Sequence, residues 1–177
     1  MSSITSLPDN KNFLSPLGFK FLIHKTPGVN YFVQSANIPS VNLGSTAIPN
    51  PFVKIPVPGD QLQYSDLNIS FRVDENLVNY KELYSWMTQL GFPNGFDEYA
   101  SQTSSAGATG LNQPKMVYSD ATLVVLSSSM NPVMEVVYKD LFPVSLSELT
   151  FDSKMTQVTY IEARAVFKYR TFILRSI

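Results

Sequence analysis

Apolar and polar residues alternate from Gly18 to His24, with Phe19, Phe21 and Ile23 on one side and Lys20, Leu22 and His24 on the other. Side chains of an extended chain point alternately to opposite faces, so this spacing predicts a half-buried strand. Thr26-Pro27-Gly28-Val29-Asn30 reads as a turn, and Tyr31 to Ala36 as the strand that returns from it. The clearest alternation in the chain is Leu67 to Val73, where Leu67, Ile69, Phe71 and Val73 form one inward face. The period then changes. Leu77, Tyr80, Leu83, Tyr84, Met87 and Leu90 recur at helical spacing, Asp74 or Asn76 offers a capping oxygen, and Gly91-Phe92-Pro93 ends the run. That predicts one amphipathic helix of about four turns whose stripe packs on the core.

Strand signals resume at Asp120 to Leu126 and Val133 to Tyr138, then in a long run from Val158 to about Phe172. In that run Thr159, Ile161, Ala163, Ala165, Phe167 and Tyr169 share one face. Tyr160, Glu162, Arg164, Val166, Lys168 and Arg170 share the other. Strands usually hold roughly three to ten residues, so this one is read as a barrel strand or one that projects beyond its domain and pairs with another subunit. Two segments break the pattern. Residues 37–60 hold Pro39, Pro49, Pro51, Pro56 and Pro58; proline lacks the N–H a sheet interior requires, so a long extended loop is predicted there. Residues 94–118, rich in Gly, Ser, Thr and Ala, read as an insertion. The organisation expected is a flexible arm over 1–16 and a single domain over 17–177. Its fold class is mainly β with some α (α+β), an antiparallel β-sandwich or barrel with one flanking α-helix.

Composition sharpens this toward self-association. Charged residues are only 15% of the chain, against roughly 25% in ordinary soluble proteins, and charge is depleted where partners bury surface. Thirteen Lys and Arg stand against fourteen Asp and Glu, without the basic excess that tight binding to nucleic-acid phosphates demands. No stretch approaches the roughly 20 apolar residues that span a bilayer, so no membrane partner is expected. The start, Met1 to Asp9, lacks the basic and apolar regions of a signal peptide.

The search for chemistry ends without a candidate. There is no cysteine and only one histidine, His24, which leaves no triad and no zinc-type ligand spacing. Asp74-Glu75 fits a helix start better than an acid/base pair, and Asp152 with Glu162 has no partner set. Gly59-Asp60 reads as a turn tip, and no phosphate-binding glycine motif occurs. Phe167 and Tyr169 point away from Lys168 and Arg170, which separates rings from charges and argues against a single-strand stacking platform. No catalytic residue, metal or cofactor is expected.

A family resemblance rests on short segments. Lys54-Ile55-Pro56-Val57-Pro58-Gly59-Asp60, the strand Leu67 to Val73, the turn Asp74-Glu75-Asn76 and a helix carrying Tyr80 and Trp86 resemble the tube-protein family of contractile phage tails. So do Asn37-Ile38-Pro39 and the stretch Asp140 to Asp152 ahead of the last strand. The turn differs from the family's Asn-Asp-Glu, reading Val73-Asp74-Glu75-Asn76, and the 94–118 insertion is longer than a plain tube subunit needs. The resemblance implies a virion protein of a phage tail, assembled in the host cytoplasm, whose homohexameric rings stack into a conduit for passing double-stranded DNA. Sheath, neck or baseplate proteins are the implied further partners. Contacts between subunits or rings are expected at Ile48, Pro49, Phe52, Lys54, Ile55, Pro58 and Asp60 in the proline-rich loop, and at Arg164, Lys168 and Arg170 on the last strand. A ring capping one end of the tube, or a monomeric ligand-binding β-domain, are the alternatives.

Overall fold

The computed structural model describes residues 12–91, 118–154, 156 and 159–177. Among the described residues, nine strands and two helices follow one another: β1 (Phe19–Ile23), α1 (Pro27–Asn30), β2 (Val33–Ala36), β3 (Val41–Ile48), β4 (Ile55–Tyr64), β5 (Leu67–Arg72), α2 (Val78–Gly91), β6 (Ser119–Leu126), β7 (Pro132–Leu146), β8 (Glu162–Lys168) and β9 (Thr171–Ser176). The 94–118 insertion lies outside the described residues apart from Tyr118, as do residues 1–11 of the predicted arm.

One mainly antiparallel sheet carries the domain, with the order β1-β6-β7-β8-β5-β2 and β9 beside β7. The 15-residue strand β7 is its spine. Residues Met134 to Lys139 lie against β9, while Phe142 to Leu146 lie against β8. The spine bends at Asp140, whose φ of 54° is left-handed, a conformation that Asp tolerates better than most residues. The bend moves the inward face by one position. Val136 and Tyr138 are buried before it, Leu141 and Pro143 after it. The partner chain does the same: Ala163, Ala165 and Phe167 point inward in β8, while Phe172 opposes Tyr138 in β9. The single long strand expected from Val158 to about Phe172 is instead two strands, β8 and β9, separated at Tyr169-Arg170, the second running on to Ser176.

That shared bend lets β1-β6-β7-β9 and β7-β8-β5-β2 pack around one core. Phe21, Ile23, Leu123 and Tyr138 come from the first half, and Leu67, Ile69, Phe71 and Phe167 from the second. Val29 of α1 and Leu83 and Trp86 of α2 complete it. Polar groups hold the corner. Lys139 Nζ lies 2.8 Å from Asp120 Oδ2, Asp140 N donates to Asp120 Oδ1, and Arg170 Nε lies 2.9 Å from Asp140 Oδ2.

Four details differ from expectation. Residues 27–30 form one helical turn opened by Pro27, not a hairpin turn. Asn30 folds its side chain back, accepting from Ile23 N and donating to Ile23 O, so the end of β1 is closed by a side chain. The strand that follows pairs with β5 rather than returning on β1, which lies on β6 instead. Helix α2 buries Asn79, Leu83 and Trp86, while Leu77 and Tyr84 are exposed. The stripe is rotated because Trp86, not Met87, fills the space over Phe167. At the helix start, Asn79 Oδ1 accepts from Asp74 N and Tyr80 N, and Asn79 Nδ2 donates to Arg72 O. The junction is organised from inside the helix rather than from Asp74 or Asn76.

Candidate functional site: an assembly interface

The proline-rich segment is a β-ribbon. Strands β3 and β4 pair from Val41↔Tyr64 to Ile48↔Ile55 and, among the described residues, join no other strand. At about 3.4 Å per residue, the 8 residues of β3 reach roughly 27 Å. Prolines fit because a two-stranded ribbon has two free edges. Pro56 and Pro58 are two apart, opposite Ala47 and Ser45, so both missing N–H groups fall on the same edge of β4. Gly59-Asp60 is not a tip but lies inside β4, where the register slips past Gly44. A Cβ on Gly59 would stand 2.7 Å from the Gly44 carbonyl oxygen, so the close approach requires glycine.

The ribbon is rooted by aromatic rings. Tyr64 packs against Tyr169 at 6.0 Å and Phe172 at 5.5 Å, and Tyr169 against Tyr138 at 5.2 Å. Tyr169 donates its hydroxyl to Ser65 O at 2.8 Å, and Ser40 and Ser65 hydroxyls meet at 2.6 Å. Burial, then the nearby Tyr64 and Asp66, push the Tyr169 phenol up to about 12. Burial and Tyr169 push Tyr138 well above the ordinary phenol value. Both rings thus stay neutral donors where an exposed tyrosine begins to ionise.

Beyond the root, the ribbon is apolar without a cover. Val41, Leu43, Ile48, Val53, Ile55 and Leu62 are all exposed, and Phe52 at the tip is 95% exposed. The tip spans Pro49 to Lys54 and is braced by Asn50, whose Oδ1 accepts from Phe52 N at 3.2 Å. Seven of the predicted contact residues, Ile48, Pro49, Phe52, Lys54, Ile55, Pro58 and Asp60, therefore lie together on this arm, exposed. Arg164 and Lys168 lie elsewhere, exposed on β8, and Arg170 is exposed just after it. Strand β8 has β7 on one side and β5 on the other. Strand β5 pairs with Glu162 to Phe167 and β7 with Ala165 to Lys168, which leaves little of β8 free for another subunit. Arg170 is engaged with Asp140.

Sequence reasoning missed two features. One is the root, Tyr64 with Tyr169, which joins residues far apart in the chain. The other is the free outer edge of β9, which shares only Thr171 and Phe172 with the predicted strand and runs past it to Ser176. Among the described residues, the half sheet β1-β6-β7-β9 has open outer edges at β1 and at β9. Its outward face carries Lys20, Lys139 and Arg175 against Asp120 and Glu135, interleaved with Leu22, Val137 and Ile173. Among the described residues no group of three or more His, Asp or Glu side chains gathers to hold a metal. His24 is exposed on that face and lowers the Asp120 pKa only as one of several nearby groups.

Fold and surface together describe a mainly β protein with open sheet edges and an uncovered apolar arm. Residues 6–175 match the phage tail tube protein family, and the chain belongs to it. A search of curated proteins found no match. Among solved structures, it is similar to a chain of the anti-feeding prophage cap (AFP tube terminating cap), with 14% identity and a TM-score of 0.65 over 99% of this chain and 100% of that one. It is also similar to a chain of the sheath–tube complex of the extracellular contractile injection system PVC in its extended state, with 14% identity and a TM-score of 0.64 over 94% of each. The PVC sheath/tube terminator gives 15% identity and a TM-score of 0.61 over 94% of this chain and 99% of that one. At such identities the likeness is one of fold.

Proposed function

We propose that this chain forms homohexameric rings that stack as part of a phage tail tube and enclose a passage for double-stranded DNA. The observation that carries the reading is the half sheet β1-β6-β7-β9, open at both outer edges on a chain that also extends an uncovered apolar arm. An open edge presents unpaired N–H and C=O groups that a second copy satisfies by adding its own edge, here β9 of one subunit against β1 of the next. An arm of apolar residues with so little charge gains by burial against protein rather than by exposure. The outward face of the half sheet mixes cations with anions, so a nucleic acid moving past it meets no continuous positive field. Sheath, neck or baseplate proteins are the further partners, and assembly takes place in the host cytoplasm before the virion tail is complete.

Negative-stain micrographs and light scattering of the purified chain test this. Six-fold rings or tubes are expected; a monomer at all concentrations overturns it and favours a ligand-binding β-domain. A second reading, a ring capping one end of the tube, is favoured by the full-length likeness to a tube-terminating cap. Single rings that never lengthen would select it over the repeating subunit.

A further inference from the structure

The tip of the arm and a groove on α2 are complementary in chemistry and size, and we propose that Phe52 of one copy seats in the α2 groove of a second copy. The inference rests on the self-assembly proposed above and names both halves of one contact within it. The projecting half is rigid for its size. Phe52 follows Pro51, its N–H is held by Asn50, and the ribbon behind it is fixed by the Tyr64–Tyr169–Phe172 root. A side chain 95% exposed on a braced turn loses little freedom when it is buried.

The receiving half lies between the first turns of α2 and the segment after β7. Leu77, Tyr80, Lys81, Tyr84, Leu149 and Phe151 line a groove of about 320 Å³. Ligand pockets run from roughly 300 to 1,000 Å³, so this groove takes a side chain rather than a whole element. The wall is fixed where Tyr80 donates its hydroxyl to Ser147 O at 3.1 Å. Tyr84 and Phe151 stand exposed at its mouth, offering ring faces and edges to a third aromatic. Charge fits as well. Lys54 follows Phe52 by two residues, and the exposed Glu148 and Asp152 adjoin Leu149 and Phe151 in the chain. Because projection and groove are different patches of one molecule, their contact is heterologous and repeats from copy to copy instead of closing as a pair.

The absence of cysteine gives a clean test. The full chain carrying Val53→Cys and Thr150→Cys, exposed positions beside Phe52 and between Leu149 and Phe151 that leave both rings of the contact in place, is assembled under reducing conditions and then oxidised mildly. A ladder of disulfide-linked multimers is expected on a non-reducing gel, with no species beyond a dimer from either single variant. Phe52→Ala, with a thermal melt like that of the parent, is expected to keep the mass of single rings and lose tubes. Rings and tubes without a ladder, or a disulfide confined to one chain, would overturn the Phe52 contact and leave the tube reading standing. A ladder without six-fold rings would do the reverse. A chain that stays monomeric with no ladder overturns both.

Discussion

Asn79 is a polar side chain buried at the point where strand becomes helix, and its three hydrogen bonds explain why it is tolerated there. Replacing it by alanine leaves two backbone N–H groups and one carbonyl without their partner. The expected loss is about 2–3 kcal/mol of unfolding free energy, read from urea denaturation. Tyr169 behaves differently because it titrates. Its folded pKa, raised to about 12, lies above the ordinary phenol value of about 10. The stability it contributes is therefore complete below that ordinary value and is lost as pH rises through the folded one. Proteolysis within the arm is expected to accelerate between those two values as the hydroxyl ceases to donate to Ser65. Tyr169→Phe removes the titration; an unchanged alkaline profile in that variant would contradict this account. On the acid side Asp120 has the opposite sign. Burial disfavours its charge, but the Lys139 hydrogen bond, the Asp140 N–H and the charges of Lys139 and His24 prevail and lower its pKa. Its contribution is present above the ordinary carboxylate value and disappears as pH falls through the folded one.

Elements show where local pattern and tertiary demand diverge. The alternation in β5 and β8 was plain in the sequence because both strands bury one face along their whole length. Strand β7 is longer than its pattern announced, since the left-handed residue Asp140 breaks the period that reveals a strand. Asp140→Val places a β-branched residue at φ 54° and also removes the partner of Arg170. The expected cost is about 2 kcal/mol, measured by denaturation. Helix α2 was visible, but its phase was not: sequence spacing ranks Met87 and Trp86 alike, and only the ring of Phe167 selects Trp86. The arm was hidden most. Five prolines over residues 37–60 argue against a sheet, and they do exclude one; a ribbon with free edges escapes the argument.

At the scale of the whole molecule, the ring proposed above makes the outward face of β1-β6-β7-β9 the surface that a polyanion meets. Glu135 lies between Val124 on β6 and Arg175 on β9. Glu135→Lys turns this mixed row into a positive one. Rings of that variant are expected to retard double-stranded DNA in a gel at low salt, with a steep salt dependence, whereas the parent does not. If both migrate alike, the face is not exposed to DNA. Much of this molecule followed from its sequence alone. Alternation revealed the strand-rich class, and short segments such as Lys54 to Asp60 and Asp140 to Asp152 carried the family likeness. The proline-dense stretch marked the place of the arm. Those are properties of composition and of neighbours in the chain, which any single sequence displays. Tertiary structure decided the strand order, the bend that β7 shares with β8 and β9, the two neighbours of β8, and the aromatic root that aims the arm. Each depends on which residues meet across long separations, as Tyr64 meets Tyr169, and local periodicity carries no information about such meetings.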